Sequence, residues 1–251
     1  MIKILLIISI IFSPLTSIYA YTLKSAAQDS YPKYYLSNGK MKGICVDIIK
    51  AIEKISPEIK IIGYNKFLPF KRLQEYLNIG KINIFFGLKK TDERLKKYIF
   101  LKTPLYKLKY VIAVRADDKI KINNLNEFKL ACKNNSIITI RGSASYKFLR
   151  KFKGVSIIEA NNVKKLLKML ILKHGRMGFY HNLALITAIK QYNFQNKIKI
   201  LPINFPSYYQ YVALYKKTHP QIVHILNNSL IKLKKIGKLR RIENRYFTLK
   251  N

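Results

Sequence analysis

Apolar positions along this chain recur with two spacings that alternate. Residues 46–55 repeat at the three-to-four interval of a helix with one buried face, stopping before Ser56-Pro57, and residues 60–64 then read as a short strand. Residues 69–78 are again helical and end at Gly80, followed by an apolar strand over 81–86. Ahead of these, 21–26 predicts a strand, 29–35 (DSYPKYY) an aromatic loop that Pro32 keeps out of helix, and 39–43 a turn. Residues 110–114 predict a strand leading into a polar run, 115–126. Beyond it, strands at 136–140 and 156–159 flank a small-residue loop, GSASY from Gly142, that opens a helix through Arg150. A helix over 163–173 stops before Gly175, YYQYVALY from Tyr208 alternates as a strand, and 220–236 and 238–246 predict two last helices, both basic. Strands alternating with helices predict an α/β fold with a mainly parallel sheet.

Two segments share a plan. GKINIFFG from Gly80 and GRMGFYHN from Gly175 each place a glycine helix stop, a basic residue, an apolar residue and an aromatic strand in that order. Two lobes would then each offer a strand end and a helix start to one cleft, which is where ligands sit in open α/β sheets. After the first segment, Thr91 predicts an N-cap, with Asp92 and Glu93 in the first turn and Arg94 at the third helical position. A capping box has Glu or Gln there, and a cation at the positive end of a helix costs about 0.3–1 kcal/mol. An anion would reverse that cost, so Arg94 is either a solvated helix residue or the grip of a carboxylate or phosphate receptor.

Composition narrows the class. The chain has 251 residues and a formal charge of +36, from 48 Lys and Arg against 12 Asp and Glu. Such a balance suits nucleic acid, anionic lipid or acidic ligands, yet the basic residues are spread along the whole chain and accompany abundant Ile, Asn and Tyr with no Trp. That is the pattern of a general codon bias, and no nucleic-acid partner is expected. Lys3, the apolar run 4–12 and the small-residue stretch 14–20 have the form of a signal peptide cleaved after Ala20. The run is short of the ~20 apolar residues that span a bilayer, and no later run reaches that length, which predicts an exported, periplasmic protein. Cys45 and Cys132 can pair there or remain two buried thiols.

The elements GKMKGICVDIIKAI from Gly39, LPFKRLQEYLNIGKIN from Leu68, TDERLKKYIFLKTPLY from Thr91, GSASY from Gly142, YYQYVALYKKTHP from Tyr208 and LNNSLIKLKKIGKLRRIENRYF stand in a familiar order. Over essentially the whole mature chain they resemble the bacterial extracellular solute-binding proteins of family 3, the polar amino-acid receptors of ABC importers. The resemblance implies a periplasmic binding protein type II-like α/β fold, with two lobes, each a mixed sheet flanked by helices, around a ligand cleft. Lobe 1 would comprise residues 21–113 and 211–251, and lobe 2 residues 114–210. It implies that Arg94 grips a ligand carboxylate and that Ser143, beside Ala144, offers a hydroxyl from the second lobe. Tyr31 and Tyr34 fall where family members place aromatic walls, or are ordinary tyrosines. Phe67, Phe70 and Arg72 match a P-aromatic-x-R variant, Arg72 being a second anion contact or a helix-face cation.

There are departures from the family pattern. Gly178 replaces an acid of the second-lobe strand and Asn182 stands nearest the expected ammonium partner. Gly87 and Lys89 sit where small hydroxyl residues are usual, and Lys89 points either to solvent or into the pocket. The function implied is capture of a small anionic or zwitterionic solute, an amino acid or related carboxylate, by lobe closure, and its delivery to the membrane permease of an ABC importer. The receptor would act as a monomer without cofactor, metal or chemistry of its own. Two alternatives stay open: an enzyme on the same scaffold, with His181 as its acid or base, and a cationic surface protein acting on lipid head groups through residues 232–245.

Overall fold

The structure, a computed structural model, describes residues 21–247; the leader expected over 1–20 lies outside them. The chain opens with β1 (Tyr21–Lys24), β2 (Ala27–Gln28), β3 (Tyr35–Ser37) and β4 (Lys40–Lys42), then α1 (Ile44–Ile55), β5 (Ile59–Ile62), β6 (Phe67–Leu68) and α2 (Phe70–Asn78). Next come β7 (Ile84–Lys89), α3 (Asp92–Lys97), β8 (Tyr98–Phe100) and the long β9 (Tyr106–Arg115). The middle of the chain forms α4 (Leu125–Asn134), β10 (Ser136–Ile140), α5 (Ala144–Leu149), β11 (Ser156–Ala160), α6 (Val163–Ile171), β12 (Met177–His181), α7 (Asn182–Gln191) and β13 (Ile198–Ile200). A second long strand, β14 (Ser207–Tyr215), leads back to α8 (Pro220–Lys235) and α9 (Lys238–Phe247).

The principal sheet runs β11-β10-β12-β9-β14-β7, with β13 also paired to β9 and β8 to β14. It is mixed rather than mainly parallel. β10 lies parallel to β11 and β12, whereas β9 is antiparallel to both β12 and β14, and β14 to β7. The reason is that β9 carries the chain across the molecule and β14 carries it back. Residues 106–109 of β9 pair with 207–210 of β14, and residues 110–113 of β9 pair with 178–181 of β12. The buried side chains divide at the same place. Tyr106 and Leu108 belong to one apolar cluster with α1, α2, β7, α8 and α9, while Tyr110, Val111, Ile112 and Ala113 belong to two clusters built on β10, β12, α4, α6 and α7.

Local signals explain most helix ends. Thr91 caps α3, its Oγ1 accepting from the Arg94 backbone N–H at 3.4 Å, so Arg94 stands at the third helical position. α4 falls partly inside the run read as polar loop. Asn124 caps it by accepting from Asn126 and Glu127 N–H, and Glu127 reaches back to the Asn123 N–H. α1 has no side-chain cap; its first N–H groups, on Ile44 and Cys45, donate to the Pro32 and Lys33 carbonyls. That close approach needs Gly43 at φ 133°, a conformation open to glycine.

Both cysteines are free thiols, buried in separate clusters. The basic C-terminal helices bury Leu226, Leu230, Leu233, Leu239, Ile242 and Tyr246 and turn Lys232, Lys234, Arg240 and Arg245 outward. This is a solvated charged face on a packed helix pair. Among the described residues no helix is long and apolar enough to cross a membrane.

Candidate functional site

Where β9 and β14 cross, alternate residues of each strand point to one side. Tyr106, Leu108 and Tyr110 with Tyr208 and Gln210 make the floor of a partly open cavity of about 40 Å³. β7 and α2 supply Gly87, Lys89 and Phe70 to its walls, and the other side of the molecule supplies Ser143, Ser145, Tyr180 and His181. Contacts reach across the mouth: Gln74 Nε2 donates to the Gly142 carbonyl at 3.2 Å, Asn162 Nδ2 to Asp29 at 2.9 Å, and Lys147 pairs with Glu93.

Arg94 is 2% exposed. Its Nε and Nη2 donate to Gln74 Oε1 at 3.2 and 3.0 Å, its Nη1 donates to the Lys89 carbonyl at 3.2 Å, and its guanidinium lies 5.6 Å from the Phe70 ring centre. Three of the five guanidinium N–H groups are thereby engaged, leaving one on each Nη for a ligand. That is a two-pronged end suited to a carboxylate. Among the described residues no carboxylate lies within ion-pair distance of it, and burial pulls its pKa down.

Lys33, which has no recognisable local signal, also reaches the cavity. Its ammonium donates to the Gly87 carbonyl at 2.7 Å and to Gln28 Oε1 at 3.0 Å, and lies 4.5 Å from the Phe85 ring centre. Burial, only partly offset by the Cys45 thiol, brings its pKa down to about 8. The backbone at Gly87 explains the first bond. β7 pairs with β14 through a bulge at which Tyr211 opposes Leu88 and Val212 opposes Phe86, so Gly87 is skipped, with φ at 79°. A bulge turns a carbonyl out of the ladder, here onto Lys33. Lys89 turns inward as well, its Nζ 4.2 Å from the Tyr208 ring centre and 3.3 Å from Tyr110 Oη. Burial and the neighbouring Arg94 lower its pKa.

The cavity thus gathers Arg94, Phe70, Gly87, Lys89 and Ser143 from the sequence-derived candidates. The others lie elsewhere. Tyr34 is buried beneath the cavity against Phe85; Tyr31 packs on Tyr35, its ring centre 4.7 Å away. Tyr31 and Asn182 line a separate groove beside Tyr246, and Asn182 Oδ1 accepts from the Lys109 N–H. Arg72 is exposed along a side groove with Asp29 and Arg141. The glycine at 178 has no bearing on the cavity, because a Cβ there would meet Leu166 Cδ2 at 2.8 Å, on the core side of the sheet. Gln28, Lys33, Tyr180, Tyr208 and Gln210 were not singled out by sequence. Alternation in YKLKY and SYYQY was the available signal for the strand residues.

His181 is the N-cap of α7: Nδ1 accepts from the Ala184 N–H at 3.2 Å. Burial, with a smaller contribution from the Lys33 charge, lowers its pKa from 6.5 to about 3, which makes it a weak base near neutrality. The linkage sign follows. Below pH 6.5 the unfolded chain takes up a proton that folded His181 refuses, so stability falls as pH drops toward 3. By pH 4.5 this amounts to about 3 kcal/mol. His181→Asn keeps a capping acceptor, so urea unfolding at pH 7.5 and 4.5 should show an acid loss about 3 kcal/mol smaller in the variant. Equal losses would show that His181 does not stay neutral in the fold.

A profile of the bacterial extracellular solute-binding proteins, family 3, matches residues 23–249. The probable amino-acid-binding protein YxeM of Bacillus subtilis (strain 168) is 27% identical over 231 residues, covering 88% of this chain and 82% of its own. Among solved structures, an ancestral arginine-binding protein bound to glutamine superposes with a TM-score of 0.78 at 23% identity, over 90% of this chain and 97% of that one. The arginine-, lysine-, histidine-binding protein ArtJ of Geobacillus stearothermophilus gives 0.76 at 20%, over 92% and 96%. The GluR0 ligand-binding core from Nostoc punctiforme, in complex with L-glutamate, gives 0.73 at 20%, over 90% and 99%. These neighbours share the type II periplasmic binding protein fold, and the chain belongs to the bacterial extracellular solute-binding proteins of family 3.

Proposed function

We propose that this chain is a periplasmic receptor that captures a small anionic or zwitterionic solute, an amino acid or related carboxylate, between two lobes and passes it to the permease of an ABC importer. The observation that carries the reading is Arg94: a buried guanidinium with two N–H groups left over, at the wall of a cavity between two separately packed bodies. The lobes would be residues 21–113 with 211–251, and residues 114–210. Closure would bring Arg94 and Phe70 of the first to Ser143 and Tyr180 of the second, so that a ligand touching both stabilises the closed form. Names of relatives support an amino-acid-like ligand without fixing its charge, since they include arginine, glutamine and glutamate binders. A micromolar affinity needs about 8 kcal/mol, within reach of one buried two-pronged carboxylate contact plus apolar packing.

The purified protein titrated calorimetrically with L-amino acids and small carboxylates should bind at least one with a one-to-one stoichiometry. X-ray scattering should show no expansion on saturation. Silence across the panel would remove the receptor reading.

A further inference from the structure

We propose that the cavity takes a short dicarboxylate that carries no ammonium group, with Lys33 filling the seat a ligand amino group would occupy. This rests on the receptor reading above and names its substrate class. An ammonium needs oxygens. Three of those at the cavity wall are already engaged, the Gly87 carbonyl and Gln28 Oε1 by Lys33 and the Lys89 carbonyl by Arg94, and the Gln210 amide oxygen, which has no partner among the described residues, is neutral and offers an ammonium no counter-charge. No Asp or Glu is among the described residues lining the cavity. A second ammonium would therefore meet a like charge and no counter-ion.

The donors, by contrast, are in surplus. Arg94 keeps two N–H groups, and Lys33, 6% exposed, keeps one of its three. Lys89 adds a charge over Tyr110 and Tyr208. The hydroxyl of Tyr180 is held protonated by burial. Three cations with no internal counter-charge call for more than one negative charge in the ligand, which a monocarboxylate cannot supply. The buried Gln210 Oε1 has no partner among the described residues; it can accept from a ligand hydroxyl, or the amide can turn Nε2 inward. The small volume between the walls, about 40 Å³, favours a short chain.

Succinate and aspartate form the decisive pair, since they differ only by the ammonium. Calorimetry on the purified protein should give succinate or malate an affinity at least tenfold above aspartate, arginine and propionate. In Lys33→Met the succinate-to-aspartate ratio should fall tenfold or more, because the amino seat is freed and a cation is lost. If aspartate or another L-amino acid binds as well as its deaminated counterpart, or propionate binds as well as succinate, the inference is overturned while the receptor reading stands. If no member of the panel binds, both are overturned. Should Lys33→Met fail to fold, the native protein's succinate-to-aspartate ratio still decides.

Discussion

Arg94→Gln is expected to cut solute affinity by roughly 100-fold or more, about 3 kcal/mol, because a buried charged contact to the ligand is lost outright. The same change should leave folding stability nearly untouched. Without a ligand, the guanidinium is a buried charge with no carboxylate partner among the described residues, and burial already lowers its pKa. Removing such a charge relieves a desolvation cost of several kcal/mol, which offsets the loss of its charge-assisted bonds to Gln74 and Lys89, each worth about 1.5–3 kcal/mol. The two measurements therefore diverge: calorimetry collapses while urea unfolding shifts by less than about 2 kcal/mol. Affinity retained within a factor of three would remove Arg94 from the site, whatever the variant's stability. A structural helix residue would produce the opposite pattern, a stability loss with no effect on binding.

Gly43→Ala should be the more damaging change to the fold. An added Cβ would lie 2.3 Å from the Lys33 carbonyl oxygen, 2.7 Å from its carbon and 2.8 Å from the Pro32 oxygen, all backbone atoms, and φ at 133° disfavours any side chain. Nothing flexible can yield. The loop must move off the α1 N-terminus, breaking the bonds from Ile44 and Cys45 that cap the helix. A loss of about 3 kcal/mol or more is expected, a fall in Tm of roughly 6–12 °C for a chain this size. Thermal unfolding followed by circular dichroism checks it, and a fall under about 2 °C would show that the approach is not tight. Gly39, where φ is 69° and a Cβ would meet nothing within 4 Å, is the control: it has a positive φ of the milder left-handed kind and no clash.

How far the sequence alone carried these residues depends on whether the determining physics is local. The Thr91 cap and the position of Arg94 were legible because a cap is settled within four residues. α4 was equally local, with Asn124 and Glu127 forming a reciprocal cap, yet its polar composition resembled a linker. Lys33 was not legible. It is one of many lysines, and what buries it is the approach of Gly43 ten residues on and a bulge at Gly87, 54 residues away. Lys89 stood open between solvent and pocket, and what turns it inward is Tyr110 and Tyr208, brought to it by strands from two distant parts of the chain. Asn182 lies off the cavity for a finer reason. The strand end was placed correctly, but helix entry turns Asn182 onto the Lys109 N–H and leaves Tyr180 and His181 facing the cavity. The mixed sheet was implied by the family resemblance while the strand pattern suggested a mainly parallel one, since nothing in a strand's own pattern says which direction its neighbour runs.

The paired crossing of β9 and β14 has a mechanical consequence. The two strands are hydrogen-bonded to each other over 106–109 and 207–210, so the lobe opening proposed above would flex them as one ribbon rather than swing two free tethers. The ribbon is also the cavity floor, through Tyr106, Leu108, Tyr208 and Gln210. A solute bound there would press on the spring itself. Substitutions at Tyr208 or Gln210 would retune the stiffness of opening together with the fit of the ligand, and affinity and release rate should prove inseparable at those positions.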